Sequence, residues 1–175
     1  RVLEAAVDSQ LHRITLVIGP HSQNLPRVLG SLATHPKVTQ TVNPRPERGM
    51  SGSLGTGIAA LESGTQGAMI LLGDQPLVTT RLIDYLLEEF SRHPDSIVAP
   101  LVNGRRSNPV IFPARLFGEL GRVRGDAGGR NVVKRNADSV VGFEVGSWYD
   151  DADLDTPEDL RQLRERVMAG KRQEQ

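Results

Sequence analysis

The sequence predicts an α/β fold with a doubly wound, mostly parallel sheet and helices on both faces. Two observations carry that expectation: β-branched apolar runs alternate with amphipathic stretches of helical period, and turn residues separate the two. Four runs read as strands: RITLVIG at 13–19, KVTQTVN at 37–43, AMILLGD at 68–74 and SIVAPLV at 96–102. Amphipathic patterns follow three of them, over 22–33, 53–63 and 79–92, and residues 2–9 read as the end of a helix feeding the first strand. NPVIF at 108–112 and SVVGFEV at 139–145 add strands of different pairing, which makes the sheet mixed. A last helix opens at DTPEDLRQL, where Thr156 is a suitable N-cap, Pro157 fits the first helical position and Asp159 completes a pair like a capping box. No repeat, low-complexity tract or linker divides the chain, so one domain over residues 1–170 is expected, followed by a polar tail at 171–175.

Composition narrows the function. At 175 residues the chain can bury about two-thirds of its unfolded surface without staples. It has no cysteine, which excludes disulfides, iron–sulfur clusters, thiolate zinc sites and a cysteine nucleophile. Lys plus Arg equals Asp plus Glu at 21 each, so the basic excess with which nucleic-acid binders neutralise phosphates is missing and no nucleic-acid partner is expected. No apolar run approaches the roughly 20 residues of a membrane span, and the opening RVLEAAVDSQ has no apolar stretch of the signal-peptide kind. A cytoplasmic protein with no membrane partner is the expectation. His12, His21, His35 and His93 are scattered without ligand spacing, which argues against zinc.

Four stretches carry chemistry. In AMILLGDQP, at 68–76, an apolar strand turns at Gly73 and then presents Asp74. Open α/β sheets bind ligands outside the carboxyl ends of their strands, so Asp74 stands where a ligand would be; an aspartate that only caps a turn fits the same pattern. NPRPERGMSGSLGTGI, at 43–58, leads from a strand into a helix and carries Gly49, Gly52, Gly55 and Gly57 with Ser51, Ser53 and Thr56. Glycines admit a ligand close to the backbone and N–H groups at a helix start favour anions, features an ordinary glycine-rich loop also has. The spacing is neither Walker A nor GxGxxG. WYDDADLDTPEDL, at 148–160, holds six carboxylates, of which Asp153 lies just before the helix cap. Two carboxylates from separate strand ends can share one magnesium whose other sites go to waters and substrate phosphates, and the pairing of Asp74 with Asp153 is inferred on that ground. Residues 103–135 gather Arg105, Arg106, Arg122, Arg124, Arg130, Lys134 and Arg135 among glycines, which suits a polyphosphate or, equally, a solvated loop.

Taken together in chain order, the stretches resemble the MobA-like nucleotidyltransferases, above all the molybdenum cofactor cytidylyltransferases. GMSGSLGTGI resembles that family's GMSxSLxxG segment, LLGDQPLVT its GD-[MQ]-P metal motif, GRRSNPVIF its GxxGxPV segment, GDAGGR its GDxGAR and DLDTPEDL its DIDTPEDL. The likeness runs over residues 2–163, and five motifs in the right order are far more specific than any one of them.

The resemblance implies a three-layer α/β/α sandwich of the nucleotide-diphospho-sugar transferase type, Rossmann-like with a mixed sheet. It implies a magnesium-dependent (Mg2+) transfer of CMP from CTP to molybdopterin, or the molybdenum-bearing cofactor, with release of pyrophosphate. Asp74 and Asp153 would be the catalytic residues and hold the metal. Gly49, Met50, Ser51, Gly52 and Ser53 would lie against nucleotide or acceptor, with Gly73 and Gln75 flanking the metal motif and Asn108 and Arg130 on the acceptor side. A molybdoenzyme receiving the product is the further partner implied. Two departures stand out. The family's opening LAAGxSxRMGxxK segment, a strand and phosphate-gripping loop, has no counterpart here, and residues 1–9 match only the helix after it, so the sheet is expected to lack its first strand. Ser107 stands where the family has glycine. Guanylyl transfer on the same fold, a non-catalytic protein that binds nucleotide or molybdenum cofactor, and a sugar-nucleotide synthase are the alternatives.

Overall fold

A computed structural model describes residues 1–22, 24–125, 128–152 and 161. In order, the elements are α1 (Val2–Asp8), β1 (Ile14–Ile18), α2 (Leu25–Leu29), β2 (Val38–Val42), α3 (Met50–Ala59), β3 (Gly67–Ile70), α4 (Thr80–Arg92), β4 (Ile97–Val102), β5 (Arg105–Arg106), β6 (Val110–Pro113), α5 (Phe117–Leu120), α6 (Arg130–Arg135) and β7 (Val140–Glu144).

Strand β4 organises the sheet. It pairs in parallel with β7 and antiparallel with β6 and β5, and β6 in turn pairs antiparallel with β3. Successive side chains of a strand point to opposite faces, and here the two faces meet different cores. Val98 and Val102 of β4 and Ile111 of β6 pack with Leu82, Ile83 and Leu86 of α4 and Ala6 of α1. Ile97 and Ala99 of β4 and Val110 and Phe112 of β6 pack with Leu54 of α3, Leu120 of α5, and Val132 and Val133 of α6. Helices therefore cover both faces, as the apolar runs require, and the three-layer mixed arrangement expected from the sequence is found. Strands β1 and β2 form a separate parallel pair, with Ile14 opposite Val38 and Ile18 opposite Val42. Among the described residues that pair shares no ladder with the larger sheet.

Local chemistry explains most boundaries. Thr79 caps α4, its hydroxyl accepting from the Leu82 N–H at 3.2 Å. Helix α2 is shorter than its pattern, because Gly30 at φ 55° turns the chain into a 3₁₀ turn over Gly30–Thr34. Strand β3 ends at Ile70, not at the Asp74 of its apolar run. Its partner β6 begins at Val110, directly after Pro109, which has no N–H to extend the ladder. Lys37 ties α1 to the first strand pair, donating from Nζ to the carbonyls of Val7 and Ser9 at 2.9 and 2.6 Å. The expected helix from Thr156 onward lies outside the described residues, Arg161 excepted.

The NGRR segment, read from the sequence as loop, is a hairpin. Asn103 and Gly104 have φ of 53° and 72° between the pairs Val102–Arg105 and Leu101–Arg106, the positive-φ dipeptide of a type I′ turn. The carboxylate of Glu144 on β7 accepts from the N–H groups of Gly104 (2.9 Å), Gly146 (2.9 Å) and Asn103 (3.1 Å). Those backbone donors, Gly104 first, hold its pKa below the ordinary carboxylate value. A depressed carboxylate adds stability that is fully present above its unfolded-state pKa of about 4.3 and is lost as pH falls through the folded value. Glu144→Gln is therefore expected to unfold at lower denaturant than the parent at pH 7, with the gap closing below pH about 4; equal midpoints at neutral pH would remove Glu144 as the hairpin's anchor.

Candidate functional site

The site is built on Asn43, the first residue after β2. Its side chain is buried, its N–H donates to the Ile18 carbonyl at 2.8 Å, its Oδ1 accepts from the Arg45 N–H at 2.9 Å, and its Nδ2 donates to Ser53 Oγ at 3.2 Å. One amide thus fastens the strand end, the turn after it and the first turn of α3. A 3₁₀ turn over Pro46–Arg48 follows, and Gly49 then adopts φ 63° and ψ −152°, a conformation essentially reserved for glycine. Helix α3 starts at once, so Met50, Ser51, Gly52 and Ser53 form its first turn; the sequence pattern set the helix start at residue 53. Gly52 allows the tight fold-back: a Cβ there would lie 2.9 Å from the Arg45 carbonyl oxygen and 3.1 Å from Arg48 Cβ.

This geometry reassigns the two serines. Ser51 is buried and donates its hydroxyl proton to the Arg48 carbonyl at 2.9 Å, while Ser53 receives the Asn43 amide. They build the turn before they serve any ligand. Met50 is 46% exposed, and its Sδ approaches the backbone at Gly128. The Ser51 N–H donates to the Gly125 carbonyl at 3.2 Å, so the first turn of α3 meets the chain at Gly125. Between them lies an open cleft of about 290 Å³ lined by Glu47, Arg48, Ser51, Arg124 and Gly125. Arg130 is exposed at the start of α6. That helix is held to α5 by Glu119, which pairs with Arg135 and accepts from Asn136 Nδ2 at 3.0 Å; these contacts, Arg135 first, lower the Glu119 pKa.

The other candidates stand at the end of β3. Gly73 and Asp74 are exposed just past the strand, and Gln75 is buried, its N–H donating to the Leu72 carbonyl at 3.4 Å. On the partner strand, Asn108 stands two residues before Val110, the residue that pairs with Ile70 at the end of β3. Asn108 is anchored there by Tyr149, whose hydroxyl donates to its carbonyl at 3.1 Å. That bond draws the WYDD segment to the β3 mouth. Asp150 and Asp151 follow directly, while Asp153 lies outside the described residues. Among the described residues no group of three acids or histidines could cage a metal. Asp74 offers a hard, accessible oxygen beyond the β3 end, a donor that suits a cation keeping most of its sites for water and phosphate oxygens. Sequence reasoning missed Asn43 and Tyr149 as supports; the only signal for Asn43 was an Asn-Pro step at a strand end.

The family model described as a MobA-like NTP transferase domain matches residues 1–140. The chain belongs to the MobA-like NTP transferase domain family. Over 122 residues it is 30% identical to the purine catabolism protein PucB of Bacillus subtilis (strain 168), the match covering 67% of this chain and 57% of PucB. Among solved structures it resembles Rv0371c of Mycobacterium tuberculosis H37Rv at 24% identity and TM-score 0.76, over 94% of this chain and 81% of that one. Rv0371c has also been solved in complex with manganese. A CMP:2-keto-3-deoxy-manno-octonic acid synthetase complexed with CTP superposes with TM-score 0.69 at 15% identity, covering 97% and 86% of the respective chains. At these identities the structures establish the shared fold. In this MobA-like chain, no described helix is long and apolar enough to cross a membrane.

Two glycines of α3 separate clash from propensity. Alanine gains about 1 kcal/mol over glycine inside a helix, whereas overpacking against backbone costs about 1–3 kcal/mol. Gly52→Ala drives its methyl into the Arg45 carbonyl, but at Gly55 the nearest atom, the Gly121 carbonyl oxygen, is 3.8 Å away. Gly52→Ala is expected to lower the thermal midpoint and Gly55→Ala to leave it level or raise it; equal responses would refute the fold-back argument.

Proposed function

We propose that this MobA-like chain is the core of a magnesium-dependent nucleotidyltransferase that passes CMP from CTP to the phosphate of a molybdopterin-type acceptor. An acceptor phosphate oxygen attacks the α-phosphorus in line, the bond to the β-phosphate oxygen breaks, and pyrophosphate leaves. The observation that carries the reading is Asp74, an exposed carboxylate four residues past the end of β3, whose Met69 and Ile70 pack against the two cores. Asp74, with Asp153, would hold the cation, which when bound neutralises charge on the triphosphate. The fold held rigid by Asn43 and Gly49 supplies positioning, the larger part of phosphoryl-transfer catalysis. The first turn of α3 offers backbone dipoles to an anion, and Asn108, fixed by Tyr149, and Arg130 are assigned to the acceptor side. Support for a divalent cation and for CTP comes from the manganese-bound Rv0371c and the CTP-bound synthetase that share this fold. The GMSGSL and GDQP segments favour cytidylyl over guanylyl transfer. A molybdoenzyme taking the product directly completes the proposal.

Thermal unfolding with CTP, GTP, ATP and UTP, each with and without magnesium, tests the reading. A ligand at about 100 times its Kd adds about 2.7 kcal/mol, a shift expected here for CTP with magnesium only. Asp74→Ala should abolish that shift and lower transfer roughly 100-fold, the scale set by losing one preorganised electrostatic group, with the apo midpoint unchanged. A shift with GTP instead moves the assignment to guanylyl transfer. Wild-type turnover in Asp74→Ala would overturn the mechanism.

A further inference from the structure

The cations of this chain divide into those with internal partners and those without. Arg135 pairs with Glu119, Arg92 with Glu88 and Glu89, and Arg13 with Glu62. Arg115 donates to the Asp95 carbonyl at 3.0 Å, and Arg81 lies 4.4 Å above the Trp148 ring. Among the described residues several arginines, Arg45, Arg48, Arg105, Arg106, Arg122 and Arg124, enter no ion pair or side-chain hydrogen bond, and Arg48 and Arg124 are the two of these that line the same cleft, between the Pro46–Arg48 turn and residues 121–125. Their convergence is built in. The Ser51 N–H to Gly125 carbonyl bond joins the two segments, the Ser51 hydroxyl holds the Arg48 carbonyl, and Gly52 lets the Arg48 backbone pack against α3. Glu47 lines the same cleft but lies beyond salt-bridge distance of either guanidinium.

We propose that Arg48 and Arg124 form a clamp for a substrate phosphate group, with Glu47 beside it to accept a hydrogen bond from a hydroxyl or amino group of the same molecule. Two arginines lining one cleft bring like charges to it, which an anion bound there would neutralise, and their planar forks match phosphate oxygens two at a time. The amino end of α3, ten residues long, adds its positive dipole on the same side. This deepens the transferase reading and rests on it only for the substrate's identity. The phosphate can come from the nucleotide or from the acceptor.

Calorimetric titration of the full chain with inorganic phosphate, pyrophosphate and CTP–magnesium tests the clamp, using Arg48→Ala, Arg124→Ala, Arg48→Lys and Glu47→Gln. Exposed Arg27 on α2, changed to Ala, is the control. Pyrophosphate binding is expected to weaken tenfold or more in each alanine variant, to weaken less in Arg48→Lys, to tighten in Glu47→Gln and to fall with added salt, with thermal midpoints unchanged. Loss of CTP binding alongside pyrophosphate assigns the clamp to the nucleotide; weakened phosphate binding with CTP unaffected assigns it to the acceptor. Phosphate and pyrophosphate binding equal to the parent in both alanine variants, or an equal loss in Arg27→Ala, would overturn the clamp. Arginine-dependent phosphate binding in a protein that transfers no nucleotide would keep the clamp and sink the transferase reading; normal transfer kinetics in both alanine variants would sink the clamp alone.

Discussion

Burial of β4 on both faces is the constraint from which the rest of the structure follows. Five of its six residues are buried, and its odd and even positions feed different cores. A strand in that position cannot lie at the surface, so α1 and α4 must cover one face and α3, α5 and α6 the other. The helices must then be reached by connections at the ends of the sheet. The candidate site residues lie in those connections: the Asn43–Gly49 turn before α3, the Gly73–Gln75 turn after β3, and the Asn108–Pro109 step before β6.

The site is accordingly rigid in an uneven way. Around Asn43 the side-chain amide and the Arg45 N–H are engaged by the protein itself, and both serine hydroxyls of the GMSGS segment are drawn into that network. Groups turned outward are charged: Asp74 at the β3 mouth, and Arg48 and Arg124 across the cleft. That division suits phosphoryl chemistry, where a scaffold fixes distances and charges do the stabilising. Tyr149 extends the same logic, because one hydrogen bond to Asn108 fixes where the acidic segment after it begins.

Much of the fold was legible because periodicity reports burial directly. The cores of β1, β2, β4 and α4 lie where apolar spacing set them, and Thr79 caps α4 as its residue type allows. The misreadings have local causes. Leu71 and Leu72 are apolar but outside β3, since Pro109 stops the partner strand. The hairpin at Asn103–Gly104 was hidden by its arginines, although the Asn-Gly step was its signal. Helix α3 begins before its apolar pattern because a positive-φ glycine, not an apolar face, sets its first residue.

The sequence by itself determined the alternation of strands and helices, the two-sided burial of the sheet and the family to which five ordered motifs belong. All of these depend on residues near one another in the chain or on the order of segments along it. Tertiary structure decided which side chains are available for chemistry. Arg135 and Arg124 stand eleven positions apart in one basic stretch, yet the first is neutralised by Glu119 and the second faces an open cleft. Ser51 reads as a ligand donor, and in the fold its hydroxyl donates to the Arg48 carbonyl. The physical reason is the same in both cases: a polar group's role is set by the partner that satisfies it, and that partner arrives through folding from a distant or sharply turned part of the chain.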